Sequence, residues 1–187
     1  MGFDLGMRHA NPAAGVCLTY RGSNDMRVES HASIRVFCPN EKTLVDPYDR
    51  IDWLNDKIRQ FIREQNPAIV SYEVPFVGSD PQVAIKFGHI GGCIRSLARE
   101  IAGCQIYALA PTTIKMHTTG SGAADKVAMI WAIQELLNIP LHQYSAVRLE
   151  GKRNPIDMAS HVADAAGAAY TAAVLYGNAR LMAMLEP

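Results

Sequence analysis

The sequence predicts an α/β fold. Its sheet is five-stranded and mixed, a three-stranded antiparallel meander plus two parallel strands, with helices flanking it. Three observations predict this. Residues 2–37 contain three β-patterned runs separated by turn signals. Beyond residue 47 the apolar period changes from two to about 3.6 residues, and helical and strand runs alternate. Each later strand follows a helix, and right-handed crossovers return such strands parallel to the first.

Taken in order, residues 2–5 (GFDL) form a short strand, and residues 7–14 (MRHANPAA) read as a turn because of Asn11-Pro12. Residues 15–20 (GVCLTY) are a second strand, RGSND a turn, and residues 26–37 a third strand by alternation. Residues 48–65 carry Ile51, Leu54, Ile58, Phe61 and Ile62 at helical spacing, and Asn66-Pro67 stops that helix. Residues 68–74 (AIVSYEV) form a strand ended by Pro75. A long helix covers residues 81–102, and residues 105–110 (QIYALA) form the last strand. The Thr- and Gly-rich stretch that follows Pro111 reads as a loop. Residues 126–137 form a helix, residues 138–155 are irregular, and residues 157–176 form the last helix. The expected order is βββ-α-β-α-β-α-α.

The 187 residues predict a single domain, 1–187, long enough for a substantial core. The chain is 49% hydrophobic and 19% charged, a globular composition. Lys+Arg and Asp+Glu number 18 each, so no global basic signature marks a nucleic-acid partner, and any such role must rest on local clustering. Cys17, Cys38, Cys93 and Cys104 are scattered without a C-x-x-C pair, which argues against a zinc knuckle or disulfide scaffold and for buried reduced thiols. The strand pattern begins at residue 2, which leaves no room for a signal peptide, and the small-residue run 163–173 is too polar to span a membrane. A cytoplasmic protein is expected.

The chemistry concentrates in carboxylates at strand ends. Asp4 lies in GFDLG, although Asp is depleted in strands and rarely buried unless paired. Alternation in AIVSYEV puts Ile69, Ser71 and Glu73 on one face. The C-terminal ends of parallel strands are where ligands of open α/β sheets gather. In the last helix His161 and Asp164 stand three apart, on one face, with Asp157 a turn earlier, and small residues from Ala159 to Ala168 let that helix approach the sheet. Three carboxylates and one imidazole at one locus repel without a cation, and the donor set suits Mg²⁺ or Mn²⁺. Taken singly, each residue has a plainer reading: Asp4 as an edge or turn residue, Glu73 as a solvated carboxylate, His161 as a satisfied core histidine. Their co-occurrence favours the site.

These motifs together resemble the RuvC-type Holliday-junction resolvases of the RNase H-like superfamily. GFDLGMR resembles the opening strand of that family, SYEVPF its second acidic strand with an aromatic three residues after the Glu, TTIKMHTTGSGAADKVAM its two-lysine segment, and HVADAAGAA its final acidic helix in the variant with His first. The resemblance runs from residue 1 to about residue 176. It implies a homodimeric, metal-dependent endonuclease that resolves Holliday junctions or other branched DNA by paired nicks, leaving 5′-phosphate ends. Asp4, Glu73, His161 and Asp164 would bind two divalent ions, Mg²⁺ or Mn²⁺. Lys115 would neutralise the scissile phosphate, Lys126 would contact the DNA backbone, and Phe76 would wedge at a branch point. Lys86, Arg148, Lys152 and Arg153 are further candidate DNA contacts, with Arg95 and Arg99 beside them. The family dimer uses the long helix, here marked by Gly88, Gly91, Gly92 and Ser96.

Two departures stand out: a longer loop after the first strand (HANPAAG) and a segment at 141–155 that looks inserted. Alternatives within the fold are a YqgF-like nuclease acting on RNA and a non-catalytic nucleic-acid-binding relative. Actin-like ATPases and sugar kinases open with a similar strand but need two lobes, for which this chain is too short.

Overall fold

The computed structural model describes residues 1–5, 13–20, 28–39, 43–74, 81–101, 103–147 and 157–185. The turn at RGSND, most of HANPAAG and residues 148–156 therefore lie outside the described residues.

Five strands form one sheet: β1 (Gly2–Asp4), β2 (Ala13–Tyr20), β3 (Val28–Phe37), β4 (Ile69–Glu73) and β5 (Gln105–Leu109), in the order β3-β2-β1-β4-β5. β1 pairs antiparallel with β2 and parallel with β4, and β4 pairs parallel with β5. β2 starts at Ala13, two residues before the expected boundary, because Ala13 and Ala14 pair with Phe37 and Val36.

Five helices pack on this sheet: α1 (Pro47–Gln65), α2 (Pro81–Arg99), α3 (Pro111–Thr119), α4 (Lys126–Leu137) and α5 (Ala159–Leu185). A short 3-10 helix spans Leu141–Tyr144. α1 begins with Asp46, whose side chain accepts from the Tyr48 N–H, and with Pro47 inside its first turn; Asn66 ends it in a left-handed conformation. α1 and α2 cover one face, where Phe3, Phe61, Ile58, Val70, Tyr72, Ile90 and Ile94 are buried together. The rings of Phe3 and Phe61 meet edge-on, 6.3 Å apart. α4 and α5 cover the other face, and α3 packs with them around Ile114, Met129 and Ala168.

The period of two along β1 sends Phe3 to the first face and leaves Gly2 and Asp4 on the α5 face. There the approach is close enough to exclude any side chain from Gly2. A Cβ on Gly2 would lie 2.2 Å from Ala165 O and 2.4 Å from Ala169 N. Both are backbone atoms of α5, which cannot swing aside.

Three expectations are corrected. The stretch after Pro111 is a helix, not a loop. Pro111 opens α3, where its missing N–H is harmless, and Ile114 and Thr118, one turn apart, are buried; Gly120 at φ 77° closes it. Thr118 and Thr119 donate their hydroxyls to Ile114 O and Lys115 O, which satisfies them inside the helix. The last helix starts at Ala159 and runs to Leu185, beyond the expected residue 176. Among the cysteines only Cys17 is buried; Cys38, Cys93 and Cys104 are half-buried, and none is in a disulfide. Among the described residues no helix is long and apolar enough to cross a membrane.

Gly2→Ala is expected to destabilise the fold by at least about 3 kcal/mol in urea unfolding, the upper range of overpacking costs, because the added methyl meets backbone on both sides. A loss under about 1 kcal/mol would mean that α5 does not rest on β1 this closely.

Candidate metal and phosphate site

The four acid–base residues come together at one end of the sheet. Asp4 is the last residue of β1 and Glu73 the last of β4, adjacent parallel strands. α5 crosses beneath them with His161 and Asp164 in its first two turns. His161 Nδ1 and Asp4 Oδ2 are hydrogen-bonded at 2.6 Å, across 157 residues of chain. Their side chains are 20% and 15% exposed, so the pair is largely withdrawn from water yet reachable from it.

Electrostatics bind the group further. Burial pushes the Glu73 carboxyl up to about 8, with Asp4 and Asp164 repelling its charge and Lys115 and His161 favouring it. Asp164 is pushed up to about 7 by burial and by Asp4, against the pull of His161, Lys126 and Lys115. His161 is raised, chiefly by its hydrogen bond to Asp4, with burial opposing. Lys115 on α3 and Lys126 at the start of α4 thus both act on Asp164, and the site spans both ends of the chain.

The donors fit a divalent cation by type: oxygen-rich, with one imidazole. Their charge fits too, since protons hold the place of positive charge on Glu73 and Asp164. Among the described residues, no three such side chains are already arranged around one point as a ligand shell.

Other expected residues fall differently. Asp157 is outside α5 and exposed, and its Oδ1 accepts from the Ala159 N–H at 3.0 Å, so it caps the helix rather than standing a turn below His161 on one helical face. The first turn of α4 is likewise capped: Asp125 Oδ1 accepts from the Ala128 N–H at 2.8 Å, which takes one of the N–H groups that a helix start otherwise leaves free beside Lys126. Arg95 and Arg99 are exposed on α2. Phe76, Arg148, Lys152 and Arg153 lie outside the described residues, as does the side chain of Lys86. The sequence reading also missed that Lys115 sits on a helix; the signal was Pro111 as a helix opener with Ile114 and Thr118 one turn apart.

A five-stranded mixed sheet in this order, with helices on both faces, is an RNase H-like fold. Residues 14–165 match the family model described as crossover junction endodeoxyribonuclease RuvC, most of the chain, and the chain belongs to that family. Curated relatives of that name include one from Prosthecochloris aestuarii, 33% identical over 98 residues, covering 51% of this chain and 52% of the relative. Another, from Acidobacterium capsulatum, is 29% identical over 119 residues, covering 64% and 66%. The matched region thus spans about half to two thirds of these relatives. Among solved structures, RuvC of T. thermophilus in complex with a Holliday junction substrate superposes with a TM-score of 0.65 at 22% identity, covering 95% of this chain and 94% of the other. A second T. thermophilus RuvC structure gives 0.60 at 24% identity, covering 97% and 95%. These two likenesses bear on the fold.

The raised carboxyls set the sign of a pH dependence. Between about 4.5 and about 8 the folded chain keeps a proton on Glu73 that the unfolded chain releases, and Asp164 does the same between about 3.8 and about 7. The folded state then binds more protons than the unfolded one, so stability falls as pH rises through this window. The raised His161 contributes in the same direction, since its stabilisation is present at low pH and lost as pH rises. In chelator-treated buffer the melting temperature is expected to drop by several degrees from pH 5 to pH 8. Glu73→Gln should flatten that slope; a flat or rising profile in the unsubstituted chain contradicts the charge arrangement.

Proposed function

We propose that this chain is a divalent-metal-dependent endonuclease that resolves four-way junctions and related branched DNA by paired nicks, leaving 5′-phosphate and 3′-hydroxyl ends. Residues 1–187 act as a single nuclease domain in this reading. The observation that carries it is the meeting of Asp4, Glu73, His161 and Asp164 at the end of the two central parallel strands, with Lys115 and Lys126 beside them, in a member of the RuvC family.

Asp4, Glu73, His161 and Asp164 would hold the metal, two ions of Mg²⁺ or Mn²⁺ in this reading. Bound there, the metal supplies Lewis-acid activation of the attacking water and charge neutralisation at the phosphate. The protein supplies placement. Asp4 and Glu73 leave adjacent strands of one ladder, so their backbones are rigid relative to each other. His161 and Asp4 face each other through their own hydrogen bond, which holds both side chains at the place where an ion would be bound.

Lys115 faces the scissile phosphate, and Lys126 contacts a neighbouring phosphate. Because the net charge is zero, affinity for DNA depends on such local groups, and Phe76, Lys86, Arg95, Arg99, Arg148, Lys152 and Arg153 are the further DNA contacts of this reading. Of these, Phe76 wedges at the branch point.

Two copies assemble through α2. Gly88 and Gly92, one turn apart, are exposed and have nothing within 4 Å of a Cβ position, whereas Gly91 lies under the Tyr72 ring of its own chain. Bare backbone on an exposed helix face supports close approach of a second α2, and a two-fold pair presents two sites symmetrically to a four-way junction. The activity belongs in the cytoplasm of a bacterial or phage-infected cell, or in an organelle.

With Mg²⁺ or Mn²⁺, purified protein is expected to place paired nicks in a labelled synthetic four-way junction in preference to linear duplex, flap or RNA/DNA hybrid. Asp4→Asn should lower cleavage by more than about 100-fold while the protein stays folded, since even outer partners of a metal site cost 10- to 100-fold. Cleavage of the hybrid alone would redirect the reading to RNA, and no cleavage with either metal would reject it.

Gly92→Glu is expected to convert the dimer to a folded monomer in sedimentation velocity and to uncouple the two nicks. A dimer that survives this charge would exclude α2 as its contact.

A further inference from the structure

The helices that carry the two lysines and Asp164 meet at one backbone position. Gly167 lies three residues after Asp164 on α5. A Cβ there would stand 2.9 Å from Ile114 Cγ2, 3.1 Å from Met129 Cε and 3.3 Å from Thr118 Cγ2. Ile114 and Thr118 belong to α3 and flank Lys115 on its own helix; Met129 belongs to α4, three residues after Lys126. Ile114 and Met129 are 1% and 2% exposed, so both are enclosed by protein. Thr118 Oγ1, whose one proton goes to Ile114 O, also stands 3.0 Å from Met129 Sδ, so α3 and α4 are in contact at the same point.

We propose that Gly167 is a positioning residue: the absence of a side chain there sets how closely Lys115 and Lys126 stand to the carboxylates of Asp164 and Glu73. The proposal rests on the nuclease reading of the site for its effect on rate, but not for its geometry.

Which partner gives way follows from stiffness. The Met129 methyl ends a flexible chain and can move. Ile114 Cγ2 cannot, because a β-branched side chain in a helix has one strongly preferred rotamer. Thr118 is held by its hydrogen bond to Ile114 O at 2.8 Å. α5 is itself fixed, since its Ala165 and Ala169 backbone rests on Gly2 of β1. A methyl on Gly167 therefore drives α3, and α4 with it, away from α5. The lysines move and the carboxylates stay.

The test is Gly167→Ala, read in two ways. A crystal structure of the variant should show α3 and α4 displaced from α5 by a few tenths of an ångström, with β1, β4 and α5 superposing on the unsubstituted protein. On a four-way junction kcat should fall about tenfold with KM changed less than twofold, because small misplacements near a reacting centre act on rate. Ile114→Leu, which removes the opposing Cγ2 at nearly constant volume, should restore most of kcat when combined with Gly167→Ala. A merely structural loss would deepen in that double variant instead of recovering. Helices that do not move, a loss confined to KM, or no recovery in the double variant each overturn the proposal. Should Gly167→Ala fail to fold, the double variant is expected to fold, and its failure to do so also overturns it. If the unsubstituted protein does not cleave, the nuclease reading fails on its own, and the displacement of α3 still decides the positioning role.

Discussion

The contact between the backbone of α5 and the backbone of β1 is the constraint on which the rest depends. Gly2 has no side chain, and Ala165 and Ala169 present helix backbone to it at distances that no Cβ could occupy. This contact is why α5 is built from alanines: Ala159, Ala163, Ala165, Ala166, Ala168, Ala169 and Ala172 are all buried. Small side chains bring the helix axis toward the sheet, and the approach carries His161 and Asp164 to the ends of β1 and β4. A helix lined with leucines would stand off by several ångström, beyond the reach of an Asp4–His161 hydrogen bond.

Packing of this kind holds a cluster that its own charges oppose. Glu73 and Asp164 are half-buried carboxyls whose neighbours include other carboxylates, and both retain protons well above their ordinary range. The His161–Asp4 hydrogen bond offsets part of the cost, and Lys115 and Lys126 another part. Apolar burial on both sides of the sheet supplies the stability that keeps such a group assembled. A rigid frame that holds protons on carboxyls it cannot comfortably charge is suited to exchange them for a cation.

Much of this was legible in the sequence, for physical reasons that differ by element. The helix over 48–65 announced itself through Ile51, Leu54, Ile58, Phe61 and Ile62 and through Asn66-Pro67 as its stop, and the structure adds Pro47 at its start. The helix over 126–137 was read at its observed bounds, and the structure shows why they hold: Asp125 caps its start and Asn138 ends it in a left-handed conformation. α3 was hidden because its threonines and glycine mimic a loop, and its helicity depends on threonine hydroxyls that bond back within the helix and on Ile114 packing against α5. Asp157 was misjudged because spacing alone does not tell a helix cap from the first helical turn.

The sequence by itself determined the five strands and every α-helix except α3, the strand-end positions of Asp4 and Glu73 and the shared face of His161 and Asp164, since these follow from periods of two and 3.6 residues along the chain. The tertiary structure alone decided that Asp4 and His161 touch across 157 residues, that Lys115 rides on a helix, and that three helices converge on Gly167. Those facts depend on distances between elements, and such distances are set by how side chains far apart in the chain fill the space between backbones.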